Sequence, residues 1–228
     1  MATPRLNLKT INHERVNDQV YQVLKEQIIS CTLVPGQRLD VGLMAGRLGV
    51  SRTPIKDALQ RLATQGLITI HARRGTFVTK ISPRDVHETF DVREALELKA
   101  VELAAGRITP QKLKKLRELN EKMAAPTTSQ FEHIALNSEL HQVLVETCGN
   151  RRLMAVYLDL NAHLQIARIT NNSDSWVSRL PKTKAEHENI IDALAQNQID
   201  RAKEAVIAHI RAAKASLIAD IPPAEKTA

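Results

Sequence analysis

Four side chains at the start of one short helical segment could hold or read an anionic polymer: Ser51, Arg52, Thr53 and Lys56, within the run LGVSRTPIKDALQRLATQGLI from Leu48 to Ile68. Hydroxyls and the amino end of a helix suit phosphate oxygens, and a guanidinium fork suits the O6 and N7 acceptors of guanine. The run carries its own boundaries. A turn at Leu48-Gly49-Val50 leads into the cap cluster Ser51, Arg52 and Thr53, Pro54 can open a helix, and Gly66 can end one in the left-handed conformation. Ile55, Ala58, Leu59 and Leu62 recur at helical spacing, which leaves Arg52, Thr53, Lys56 and Gln60 on the outward face.

The elements that must position this stripe follow from composition. With 228 residues, two domains are expected. Only three Phe, two Tyr and one Trp are present, so the cores must come mainly from Leu, Ile, Val and Ala, which suits packed helices better than sheets. Residues 1–80 hold 12 Lys and Arg against 5 Asp and Glu, an excess equal to the chain's whole net charge of +7, whereas residues 81–228 hold 20 of each. A basic part that meets a polyanion, joined to a neutral part with another task, is the reading this implies. Cys31 and Cys148 are far apart and match no paired metal spacing, and there is no apolar leader and no long apolar run. A reduced, cytoplasmic protein away from membranes is expected.

In chain order, residues 1–14 predict a flexible tail. A first helix is expected over Asn17–Ile29, closed by the Pro35-Gly36 turn, and Asp40 can cap a short second helix containing Leu43, Met44, Arg47 and Leu48. After the SRTPIKDALQ helix, the β-prone runs 67–70 and 76–79 flank the basic segment His71-Ala72-Arg73-Arg74-Gly75. Three helices and a basic two-stranded hairpin make a winged helix-turn-helix over residues 15–80, with the third helix in the DNA major groove and the wing against the flanking backbone. Ser82-Pro83 starts afresh. From 82 to 220 an all-α domain of six helices is expected, over Pro83–Ala105, Pro110–Ala124, about Thr128–Thr147, about Arg151–Ile169, about Lys182–Gln196 and Ile199–Ala219, with breaks that include Asn171-Asn172-Ser173-Asp174 and Pro181. Residues 221–228 predict a second flexible tail. The fold class is thus mainly α.

The Pro35-Gly36 turn with Leu39, the run LGVSRTPIKDALQRLATQGLI and the wing residues Arg74-Gly75-Thr76-Phe77-Val78 resemble the amino-terminal domain of GntR-family bacterial transcription regulators, and the six-helix remainder resembles their FadR-type effector domain, the FCD domain. The resemblance implies operator contacts from Ser51, Arg52, Thr53 and Lys56, joined by Arg73, Arg74 and Gly75 of the wing. Lys56 stands where that family usually carries Arg, and Val41 and Gly42 stand where it usually carries polar residues; a Lys cannot make the planar bidentate contact, so Arg52 is expected to carry more of the base reading.

Metal-binding FCD domains use an Asp or Asn and a His four apart on one helix, with two later histidines. By that resemblance Asn137 and His141 in LNSELHQVL, His187 in AEHENIIDAL and His209 in AVIAHIRAA are the implied ligands of a divalent metal, Zn, Ni, Fe or Mn. Asn137 could instead cap or orient His141. His13, His71, His87, His133 and His163 read as structural. Arg93 matches an arginine that often faces the ligand cavity, so a small carboxylate effector is implied, against the alternative of an Arg93–Glu97 pair on a solvated face. The function implied is an effector-responsive regulator that binds a palindromic double-stranded DNA operator as a homodimer. The alternatives are a metal-dependent enzyme built on the Asn and three His, or a DNA-binding protein without effector control. No HExxH, phosphate loop or nucleophile elbow is present, and Glu139 and Glu186 are expected to point away from the histidines, so an enzyme is not expected.

Overall fold

The computed structural model describes residues 13–170 and 175–220. Of the tail expected over residues 1–14, residues 1–12 lie outside the described residues and 13–14 instead begin a helix; the expected break at Asn171–Asp174 and the tail over 221–228 also lie outside them. The chain packs as two compact units that divide between residues 79 and 80, except that residues 29–31 group with the second.

The first unit contains α1 (His13–Ile29), β1 (Arg38–Leu39), α2 (Val41–Leu48), α3 (Arg52–Thr64), β2 (Ile68–His71) and β3 (Gly75–Val78). Its core is Val20, Tyr21, Leu24 and Ile28 from α1 against Ile55, Ala58, Leu59 and Leu62 from α3, closed by Leu67, Ile68 and Val78. Helix α1 starts four residues earlier than its apolar rhythm predicts, because His13-Glu14-Arg15-Val16 contains no helix breaker. The wing is a three-stranded antiparallel sheet in the order β1-β3-β2. Its third strand comes from the Pro35-Gly36 turn, where Gly36 takes a left-handed φ of 83° and donates to the Val78 carbonyl at 2.9 Å. Two paired residues were too few for a strand pattern to register in the sequence.

Side-chain caps start α2 and the helices that begin at Pro83, Pro110 and Gln130, whereas α3 has none. Asp40 accepts from the Leu43 amide at 2.8 Å, Thr109 and Ser129 cap their helices, and Ser82 and Asp85 form a reciprocal capping box. Ser51 occupies the N-cap position of α3 but makes no capping hydrogen bond. Pro54 falls at the third helical position, so the amide that most often bonds a Ser cap is absent. The expected Ser51 cap is therefore corrected. Ser51→Ala should leave the melting temperature nearly unchanged, whereas Ser82→Ala should destabilise by about 1 kcal/mol; comparable losses in thermal denaturation would show that Ser51 does cap.

The second unit holds α4 (Pro83–Ala104), α5 (Pro110–Met123), α6 (Gln130–Glu146), α7 (Arg151–Thr170), α8 (Ser175–Ala195) and α9 (Ile199–Asp220). Helix α4 packs against α9, α7 and α6, so it lies at the centre of the unit. Val86, Phe90 and Val101 of α4 join Leu144, Ile190, Leu194, Val206 and Ile210 in the main apolar cluster. The predicted break at Pro181 is overturned: α8 begins at Ser175 and runs through the proline. Pro181 cannot donate to the Val177 carbonyl, a loss of about 3 kcal/mol in an isolated helix. Packing compensates, because Arg179 donates to the Ala212 carbonyl of α9 at 2.7 Å and Thr183, His187, Ile190 and Leu194 are buried beyond the proline. Among the described residues no helix is long and apolar enough to cross a membrane.

Candidate functional site

The first unit presents a basic edge. Arg52, Thr53 and Lys56 are exposed on the face of α3 opposite its buried residues, and Ser51 is exposed just before them. The turn between β2 and β3 brings out Arg73 and Arg74, both exposed, with Arg73 at a left-handed φ of 69° and Gly75 at 110°. The Arg74 amide closes the turn onto the His71 carbonyl at 3.2 Å. This arrangement offers a helix amino end, hydroxyls and a basic hairpin tip, the donor set for phosphates and base edges.

The second unit buries a polar cluster drawn from all six of its helices. His141 (α6), His187 (α8) and His209 (α9) converge, with potential ligand atoms all within 4.8 Å of one another. His141 Nε2 and His209 Nε2 are 3.1 Å apart, and the three ring centroids lie 4.5 to 5.2 Å from one another. Each Nδ1 meets an oxygen acceptor: Glu97 Oε2 at 2.9 Å from His141, Glu186 Oε2 at 2.9 Å from His209, and Asn120 Oδ1 at 3.2 Å from His187. A carboxylate only accepts, so Nδ1 carries the proton in His141 and His209 and the Nε2 lone pairs face inward. Two such lone pairs at 3.1 Å repel each other unless a proton or a metal cation lies between them. Nitrogens bound at about 2.1 Å to one ion sit roughly 3 to 3.5 Å apart, so this spacing fits a shared divalent metal.

His187 completes the set. Its Nε2 is buried with no hydrogen-bond partner among the described residues. Burial, and then the neighbouring His209 and His141, push its pKa well below the ordinary value of 6.5, so its imidazole is neutral at pH 7 and able to act as a ligand. Asn137 is buried one turn ahead of His141, on the same face of α6.

Arg93 and Glu97 form the charged floor of the cluster. The alternative of a solvated pair is corrected: the two are bonded, with Arg93 Nε 2.6 Å from Glu97 Oε1, but they are 1% and 0% exposed. Glu97 also accepts from Tyr157 Oη at 3.2 Å. This uses one guanidinium nitrogen and leaves Nη1 and Nη2 of Arg93 buried without a partner among the described residues. Two parallel donors left over on a buried guanidinium match the two oxygens of a carboxylate.

Sequence reasoning missed Glu97, Glu186, Asn120 and Tyr157 as partners of the site. Glu186 was expected to point away from the histidines, and it does turn away from His187, but α9 brings His209 to it. Glu139 is directed elsewhere, to Lys115 at 2.7 Å. Since Glu97 and Glu186 accept from Nδ1, they orient imidazoles.

Comparison with known proteins finds a family match for each of the two units. The description "Bacterial regulatory proteins, gntR family" matches residues 16–78, and "FCD domain" matches residues 88–212. An uncharacterised HTH-type transcriptional regulator, YdhC of Bacillus subtilis (strain 168), is 32% identical over 194 residues, 84% of this chain and 86% of that protein. The HTH-type transcriptional repressor RspR of Escherichia coli (strain K12) is 29% identical over 198 residues, 86% of each chain. The solved structure of E. coli McbR/YncC superposes with a TM-score of 0.77 at 25% identity, covering 89% of this chain and 96% of that one.

Proposed function

Because the chain belongs to the gntR family of bacterial regulatory proteins and carries an FCD domain, we propose that this transcription regulator binds a palindromic operator as a homodimer and changes its DNA affinity when a small carboxylate enters the helical unit beside a divalent metal. His141, His187 and His209 would hold the metal through Nε2, with Asn137 as the fourth protein ligand, and the metal would supply a positive centre for the carboxylate. The observation that carries this reading is the buried pair of unpartnered donors on Arg93, set next to three inward-facing imidazoles. Repression, relieved by the effector, is the mode suggested by likeness to the repressor RspR. Two reading heads for two half-sites about one helical turn apart account for the dimer.

Titrating metal-loaded protein with mono- and dicarboxylates by calorimetry tests the effector half; heats from none of them sink it. Footprinting on the chain's own upstream region tests the operator half, and protection without an inverted repeat counts against the dimer. Within the operator contact, Arg52 and Lys56 should divide the work. Arg52→Ala should relax base preference by about 1–3 kcal/mol at one position, and Lys56→Ala should weaken binding uniformly and reduce the salt slope by about one. Equal, sequence-independent losses from both would disprove the division.

A further inference from the structure

Two exposed arginines of the first unit each lie against a glycine. Arg52 Nη2 comes 3.5 Å from the point where a Cβ on Gly42 would stand, and Asp40 Oδ1 comes 3.2 Å from the same point. Arg38 Nε comes 3.1 Å, and its Nη2 3.6 Å, from where a Cβ on Gly75 would stand. Strand register explains the second approach. Arg38 lies opposite Phe77, so its side chain leaves the sheet on the face shared by Phe77 and Gly75, while Leu39 points into the core. Asp40 links the two arginines. Its carboxylate is held below the usual range by the amides of Leu43 and Gly42 and then by the charges of Arg38 and Arg52. Asp40 thus sits between Arg52 at the start of α3 and Arg38 beside the wing tip, within the electrostatic reach of both. Gly75 also has a role beyond its backbone angle: any side chain there would meet the Arg38 guanidinium.

We propose that Arg38 belongs to the DNA-binding surface and supplies a phosphate contact between the recognition helix and the wing, through the space that Gly75 leaves at the wing tip. This rests on the reading that the first unit binds DNA. A guanidinium lying against Gly75, the residue that follows the exposed Arg73 and Arg74 in the wing turn, is placed to follow the backbone that flanks a major groove occupied by α3. It carries charge and no base reading, so its effect is independent of sequence.

The test uses the full chain and a mixed-sequence DNA duplex, with affinity followed by fluorescence anisotropy over a salt series. Arg38→Ala should flatten the slope of log affinity against log salt by about 0.9 while its melting temperature stays at the wild-type value, and Arg38→Lys should restore most of the slope. Arg84→Ala, whose arginine is paired with Glu88 at 2.7 Å outside this unit, should change nothing. A wild-type slope in Arg38→Ala overturns the assignment, as does weakened binding that accompanies a lowered melting temperature at constant slope. Absence of salt-dependent DNA binding by the wild-type chain would instead overturn the parent reading.

Discussion

Replacing His187 with alanine should abolish retention of a divalent metal, measured as metal per chain after dialysis and as the rise in melting temperature on adding Zn or Ni. His187 Nε2 is buried, neutral and without a partner among the described residues, so its lone pair is available to a metal and its loss breaks the set of three imidazoles. A metal held with free ion at 1,000 times its dissociation constant stabilises the folded chain by about 4 kcal/mol, and the variant should show none of this. Glu186→Gln should act more mildly. It leaves all three imidazoles in place and loosens only the orientation of His209, an effect of about 10–100-fold in affinity. Stoichiometric metal in His187→Ala, with an undiminished thermal shift, would remove the cluster from consideration as a metal centre.

The second large effect is expected at Arg93. Arg93→Met should destabilise the second unit by about 3 kcal/mol in urea denaturation, because it leaves the Glu97 carboxylate buried beside only His141 and Tyr157. Breaking a buried pair on one side costs about 3–5 kcal/mol, and the two remaining donors place the value at the lower end. Arg93→Met combined with Glu97→Gln should recover part of the loss, since the unpaired charge is gone. Arg93→Lys should retain more stability than Arg93→Met yet fail to bind carboxylates, because an ammonium offers no planar fork. A loss under about 1 kcal/mol in Arg93→Met would mean that Glu97 does not depend on the pair.

The fold was largely legible because its signals are local. The PIKDALQRLATQG stretch carries apolar period, breaker and stop within a few turns, and α4 and α5 announce their starts with Ser82-Pro83 and Thr109-Pro110. Where one residue serves two rules, local reasoning failed. Pro54 has the signature of a helix start but falls at the third helical position and deprives Ser51 of the amide it would cap, and Pro181 has the signature of a helix end while Arg179 ties its flank to α9. Likewise Val23 fits the apolar rhythm of α1 yet is exposed, because Tyr21 fills the core position and donates to Gln65 at 2.7 Å. The three histidines could be named only through resemblance to a family pattern. Their partners follow no spacing at all: His141 and Glu97 are 44 residues apart, and Tyr157 and Glu97 are 60 apart. Contacts of this kind arise from the order in which helices pack, which no periodicity encodes.

Glu97 takes donors from three helices, Arg93 on its own α4, His141 on α6 and Tyr157 on α7. That sharing constrains inheritance. A lineage that loses His187 or His209 would forfeit one of the proposed metal ligands and leave all three donors of Glu97 in place, so ligand preference could drift by single steps. A lineage that loses Arg93 alone carries a buried carboxylate without its counter-charge, and stability falls before any new preference can be selected. Among descendants of this chain, positions 93 and 97 should therefore be exchanged together, with position 141 tied to them through Glu97, while positions 137, 187 and 209 can change one at a time.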